Sequence, residues 1–466
     1  MEPPFFPDQV SDHLFLLDFF YGVATVCLIL IVGAVGLIDG GLVRRKNTLD
    51  NWVQKIVVAL IGAGFMWLIG YAIWQVQFYQ AFGVPNPISS AIKDWWALGT
   101  NAQTFSQQLD PAVAPENDVF QIFMVFFMAY AAVGAVLIHS AGLERVKAAP
   151  MYVMGAIAGG LVIPIALYFT WGSLSPLTNS GLHDYIGVYS LYIVVGVWAL
   201  ILAWRAGPRL GAFAPHDKTM GPIPHNFGFP GLGIALLMFA APFAFLGCGY
   251  WIGDAGYFGI SLTTSGFGVA MLNVFVSYIG GGLAGALIAY RTKNPLFALI
   301  GVAAGYISAG ACLDIAKPWQ TLVVSFVGTF FVYGTYKLLH RLHIDDKKIV
   351  PLALGGGIFG ALAAGVVGAG MKTGGFFGLE GEYAAQHATI SLGMQALGVV
   401  LTVAFAGVTG LIVIVGLEKT IGLRVEEHEE LKGLDDHYWQ TPPSPYHDEP
   451  AVVVDARGSL SATETE

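Results

Sequence analysis

The spacing of its charges constrains this chain more than any other feature. Eleven apolar stretches, near 14–40, 52–79, 118–142, 149–171, 184–204, 226–248, 263–290, 295–312, 319–339, 349–370 and 389–416, leave nearly every Lys and Arg in the gaps between them. Each is of the order of 20 residues, the length that crosses a hydrocarbon core of about 30 Å as a helix. Backbone amides in lipid must bond within their own segment, so stretches this long predict helices. The expected fold is all-α: a polytopic membrane protein with 11 transmembrane helices. Only 11% of the residues are charged, against about 25% in soluble domains. The 60 glycines suit membrane helices whose backbones approach closely.

An odd number of spans puts the termini on opposite sides, and the basic residues choose which. Nineteen Lys and Arg fall on alternate connections and in the tail, while Lys93, Lys317 and Lys372 fall on the other side. The positive-inside rule then predicts a multi-pass protein of the cell membrane, with its N-terminus outside and its C-terminus cytoplasmic. The start, MEPPFFPDQVSDH, lacks the basic region of a signal peptide, so the first helix is expected to insert uncleaved. Residues 1–416 read as a transmembrane channel domain. Residues 417–466 read as a cytoplasmic tail, ordered to about 440 and disordered beyond. The net charge of -9 owes much to acids in that tail and points to no nucleic-acid partner. Cys27, Cys248 and Cys312 sit in apolar or Gly-rich surroundings, as small packing residues.

Few polar residues lie inside the spans: Asp18, Asp39, His139, Asp184, Asn273 and Asp314. Each is costly against lipid and should face protein or a water-filled cavity. His139, one turn from Glu144, is expected to pair with it. Asp184 heads the run Tyr185 to Trp204, which holds no charge until Arg205. A carboxylate there can cap the first turn of a helix, and it can also mark an ion path beside aromatic rings that hold a cation. The two readings are compatible. The connection 80–117, with Trp95 and Trp96, is expected to pack over the outer mouth. The glycine triplets at 280–282 and 355–357 lie within spans and signal close packing. No metalloprotease, phosphate-loop or nucleophile-elbow motif is present in a fitting context, so neither enzyme activity nor a cofactor or metal is expected. Transport or sensing remains.

Short strings at span ends are more specific. GGLVRRKN at 40–47, Leu143-Glu144-Arg145, and the tail residues Gly422, Leu423, Arg424 and Val425 followed by Leu434 and Asp435 occur in order along the chain. Together they resemble the ammonium transporter (Amt/Mep/Rh) family across nearly the whole length. That resemblance implies a homotrimer with one hydrophobic pore per subunit, running between two inverted five-helix halves, plus a final long helix. It implies a substrate vestibule at Trp171, Tyr130 and Asp184, with Asp184 and Gly187 matching the family's D-x-x-G. The pore gate falls on Tyr130 and Phe245; a one-residue shift would put Ala244 in the second place. The tail is expected to couple subunits and to meet a PII-type signal protein.

The lumen departs from the family pattern. Eight residues from Asp184 and eight from Asp346, where the family carries a pair of histidines, stand Tyr192 and Leu354. An imidazole takes and passes a proton near neutral pH; a tyrosine with a pKa of about 10 and a leucine do not. An ammonium ion in an apolar pore costs several kcal/mol, so passage of a neutral molecule is favoured over passage of charge. The leading expectation is a channel or transporter of ammonium or ammonia. The alternatives are a non-ammonium-conducting homologue, passing another small neutral solute or gas or sensing ammonium, and an accessory subunit of a larger membrane assembly.

Overall fold

The computed structural model describes residues 12–104, 117–213, 224–252, 257–259, 266–376 and 379–440, with two short strands at 452–454 and 460–462. Apart from those strands, the stretch of tail expected to be disordered lies outside the described residues. Among the described residues, ten helices are long and apolar enough to cross a membrane, and an eleventh apolar helix is shorter. In chain order they are α1 (Asp12–Leu42), α2 (Arg45–Ala81), α3 (Asn117–Ala141), α4 (Ala148–Thr170), α5 (Val188–Ala206), α6 (Gly228–Cys248), α7 (Phe267–Thr292), the shorter α8 (Leu296–Cys312), α9 (Pro318–Arg341), α10 (Val350–Val367) and α11 (Leu392–Thr420). The chain is a multi-pass membrane protein.

The packing repeats from the first five helices to the next five. α2 lies against α3 and α4 as α7 lies against α8 and α9, and α1 meets α3 as α6 meets α8. The halves join where α1 packs on α6 and α5 on α10, while α11 lies along α5 and α10. Glycine permits the closest of these approaches. A Cβ on Gly281 of α7 would stand 2.3 Å from the Gly301 carbonyl of α8, and one on Gly159 of α4 would stand 2.2 Å from the Gly62 carbonyl of α2. Dispersion between backbones in such contact replaces the hydrophobic drive that lipid does not supply.

Among the described residues, four spans contain wide π-turns: Met66–Gly70 in α2, Ala158–Val162 in α4, Val188–Ile193 opening α5 and Val350–Gly356 opening α10. The last two hold equivalent places in the two halves. Such turns accommodate an extra residue in the ladder and recur at functional sites. Of the connection 80–117, the described part forms a helix, Pro87–Trp95, whose Trp95 is buried edge-on against Tyr71 and Phe120. Trp96 is left partly exposed.

Candidate functional site

Trp171 ends α4 and is fully buried. Its indole stacks on Tyr130 with ring centroids 5.8 Å apart and planes 20° apart, and on Phe126 at 6.4 Å and 15°. Its Nε1 donates to the Tyr185 carbonyl at 2.9 Å, while its own carbonyl accepts from Trp74 Nε1 at 2.8 Å. Tyr130, on α3, donates its hydroxyl to the Gly187 carbonyl at 3.2 Å and lies 3.0 Å from the Ser190 hydroxyl. Gly187 has φ +79°, and a Cβ there would stand 1.7 Å from the Tyr130 hydroxyl oxygen. The glycine thus allows both the turn and the tyrosine.

Asp184 closes the same turn from within. Its Oδ1 accepts the amides of Gly187 at 3.1 Å and Val188 at 2.8 Å, and its Oδ2 accepts that of Tyr189 at 3.0 Å. The first amides of a helix have no partner inside it, and a buried carboxylate on three of them is a cap. Phe245 approaches from α6. Its ring meets Tyr185 edge-on at 5.8 Å and stacks on Phe267 at 6.3 Å, and its carbonyl accepts the Tyr185 hydroxyl. Tyr130 and Phe245 therefore touch the 185–190 turn from two sides, and Tyr130 stacks on Trp171 rather than on Phe245.

Tyr192 and Leu354 stand on the two π-turns, each partly buried, where α5 and α10 cross. Glycine again sets the distance: a Cβ on Gly196 would lie 2.6 Å from the Leu354 amide nitrogen, and one on Gly357 lies 3.5 Å from the Tyr192 Cβ. Asp346 caps α10 as Asp184 caps α5, its Oδ1 accepting the Lys348 and Val350 amides at 3.0 and 3.1 Å. The two halves thus bring together two equivalent capped, widened helices, with Tyr192 on one and Leu354 on the other.

The face that carries the tail is held by buried charge. Glu144, at φ +68°, accepts the Arg44 amide and Nε at 2.8 Å, Asn47 Nδ2 at 2.7 Å and Arg209 Nη1 at 2.8 Å. Burial alone would raise its carboxyl, but the Arg44 and Arg209 guanidinium groups outweigh that and hold it at about 2. Arg209 also forks onto Asp345, Nε to Oδ2 at 2.7 Å and Nη2 to Oδ1 at 2.9 Å. The expected pairing of His139 with Glu144 is not found. The left-handed backbone at Glu144 turns its carboxylate to the arginines, and His139 Nε2 meets Gln54 Oε1 at 3.2 Å.

The tail packs across this same face. Leu423 accepts the Lys147 amide at 2.8 Å, and the Val425 amide donates to the Arg145 carbonyl at 2.9 Å, after a turn at Gly422 with φ +73°. Arg424 Nη1 donates to the Ala206 and Pro208 carbonyls, and its Nη2 to Glu430 at 2.7 Å. The Leu434 amide reaches Asn47 Oδ1 at 2.9 Å, and Asp435 accepts the amides of Leu49 and Asp50. Four connections are joined through this segment and the charges beneath it.

A family model described as the Ammonium Transporter Family matches residues 19–442. The chain belongs to the ammonium transporter family. Ammonium transporter Amt2 of Methanocaldococcus jannaschii is 28% identical over 90% of this chain and 88% of its own length, and Amt1 of the same organism is 29% identical over 67% and 74%. Among solved structures, one titled Sensor Amt Protein aligns with a TM-score of 0.71 at 20% identity, covering 91% of this chain and 98% of that one. Candida albicans Mep2 aligns at 0.68 and 20%, covering 90% and 88%. These likenesses share the fold described above.

Two groups in this member of the family escape the sequence reading. His183, next to Asp184, is fully buried with Nε2 2.9 Å from Asp314 Oδ1, and its amide meets Gln395. Asp39, Lys55 and Lys348 meet at the tail-side end of α1. Their sequence signal is a lone acid inside a span, which demands a partner without naming it. Among the described residues, no cluster of three His, Cys, Asp or Glu side chains is arranged to hold a metal.

Proposed function

We propose that this chain carries ammonium nitrogen across a membrane as neutral ammonia, through a passage between its two halves in each subunit. The observation that carries the reading is the crossing of α5 and α10, which brings Tyr192 and Leu354 together, the two residues that the family likeness points to as lining the lumen. Neither side chain relays a proton at neutral pH, and a charged ion left bare in that crossing costs several kcal/mol. The tyrosine hydroxyl still offers one hydrogen bond to ammonia or water. Trp171, Tyr130 and Asp184 form the entrance, with Asp184 shaping it as a cap and touching a cation only indirectly. Phe245 is the gate. The basic residues favour an N-terminus outside and a cytoplasmic tail. Family membership supports a homotrimer, and the docked tail offers a surface for a PII-type regulator.

Reconstitution tests this directly. Liposomes containing the protein should show an ammonia-driven internal pH change without ammonium-evoked current on a supported membrane. Robust, saturable current from the unmodified protein overturns the neutral route. Binding of ammonium without flux or current instead favours a sensor.

A further inference from the structure

Three buried side chains at the tail-side end of α1 do not balance in charge. The carboxylate of Asp39 is fully buried, and it is shared by the amines of Lys55, from α2, and Lys348, from the connection before α10; their side chains are 1% and 9% exposed. Lys55 also donates to the Ser140 hydroxyl at 2.9 Å and to the Val136 carbonyl at 3.4 Å, and the Ser140 hydroxyl in turn meets Asp39. Two ammonium groups on one carboxylate leave a net positive charge away from water, which is expensive. Releasing one proton removes the excess.

Among the described residues no second carboxylate forms an ion pair with either lysine. Arg145 and Arg209 are engaged with Asp345, and Arg209 also with Glu144. Asp346 turns its Oδ1 to the amides of Lys348 and Val350 and forms no ion pair with the amine of Lys348 or Lys55. Lys293 and Lys347, on the wall of the adjoining cavity, add positive charge, and Tyr333 and Tyr336 there add none at neutral pH. His139, beside Lys55, is turned to Gln54.

Lys348 and Ser140 open onto that cavity, which holds about 390 Å³. It lies at the foot of α10, six residues of chain before Leu354, and it is cytoplasmic in the orientation proposed above. We propose that Lys348 is the proton-exchanging amine of the cytoplasmic mouth, giving a proton to ammonia that leaves the passage and taking one from ammonium that enters it. The inference rests on the ammonia reading given above. The step balances as Lys–NH3+ plus NH3 giving Lys–NH2 plus NH4+, with the amine recharged from water in the cavity. An exposed lysine is a stronger base than ammonia and would keep its proton. Burial holds Lys348 down to about 7, which makes it the weaker base and lets the transfer run. Lys55, deeper and bonded to three oxygens, keeps the remaining charge on Asp39. An amine placed here would supply, at the end of the passage, the proton chemistry that Tyr192 and Leu354 cannot supply at its centre.

The test is carbon-13 NMR of the full chain in nanodiscs with lysines labelled at Cε, whose shift reports amine protonation directly. Lys348, assigned through Lys348→Met, should titrate near pH 7, about three units below an ordinary lysine. Lys55→Met should raise that midpoint by removing the competing cation, and Asp39→Asn should lower it. In liposomes Lys348→Arg, which keeps the charge but cannot release a proton, should slow the ammonia-driven pH change by about tenfold, since positioned acid–base groups contribute at least that much. A Lys348 that titrates with the exposed lysines overturns the proposal, as does a Lys348→Arg flux equal to that of the unmodified protein. An unmodified protein that passes no ammonia, yet titrates near pH 7, removes the transport reading instead.

Discussion

Asp435, in the tail, caps the first α-helical turn of α2, which opens at Thr48: its Oδ1 accepts the Asp50 amide at 2.7 Å and its Oδ2 the Leu49 amide at 3.1 Å, the former across 385 residues of chain. A carboxylate at a helix start satisfies orphan amides and suits the positive end of the helix dipole. Asp435→Ala should cost about 1 kcal/mol locally. Hydrogen exchange should then rise at Leu49 and Asp50 while the centres of α3 and α5 stay protected. Unchanged exchange at the start of α2 would show the tail bonds to be dispensable.

Arg209 joins Glu144 to Asp345 in a buried setting. Arg209→Met takes the two-pronged partner from Asp345 and one of two guanidinium groups from Glu144, and should destabilise by about 3–5 kcal/mol, read as a lower melting temperature in detergent. Arg209→Lys should recover little, because an ammonium cannot reproduce the fork.

The acid limb of stability follows from Glu144. Its folded value, about 2, lies below the ordinary carboxylate value of about 4.3, so its contribution is complete above the latter and is lost as pH falls towards 2. Melting temperature should drop through that window, and Glu144→Gln should flatten the drop while lowering stability at neutral pH.

Asp184→Ala leaves three amides at the head of α5 without partners. A loss on the order of 2–4 kcal/mol is expected, together with reduced ammonia flux. Asp184→Asn keeps one acceptor and should retain the fold. Gly187→Ala should be worse than a simple cap loss, and adding Tyr130→Phe should restore part of it by removing the hydroxyl that the new Cβ meets. Strict additivity in that double-mutant cycle would show that the two residues do not interact.

Placing histidine at both Tyr192 and Leu354 should raise ammonium-evoked current if the entrance is otherwise competent. Failure of that pair would locate the barrier at Phe245.

The spans are legible because charge spacing alone marks them, and the Asp184 cap because acid and amides are neighbours in sequence. Tyr192 and Leu354, at the places where the resemblance implies histidines, follow from counting along α5 and α10 from their capping acids. The Asp39 cluster is not legible, since its lysines lie 16 and 309 residues away and only the tertiary fold brings the connection before α10, with Lys348, to the tail-side end of α1. Nor can periodicity foresee the π-turns, which do not change the apolar pattern, or the backbone turn at Glu144 that leaves His139 to Gln54. The full burial of Trp171 depends on α2 and α3 closing over it, and no local string encodes that.

Arg209 has one more consequence, for how the molecule moves. It stands on the link between the halves, gripping Glu144 of the first and Asp345 of the second. A carrier that alternates by rocking one half against the other would have to prise that grip open on every cycle. A fixed passage with a side-chain gate leaves it closed. Flux through the protein should then show the shallow temperature dependence of diffusion past a swinging ring, not the steep one of a scaffold that rearranges at each turnover.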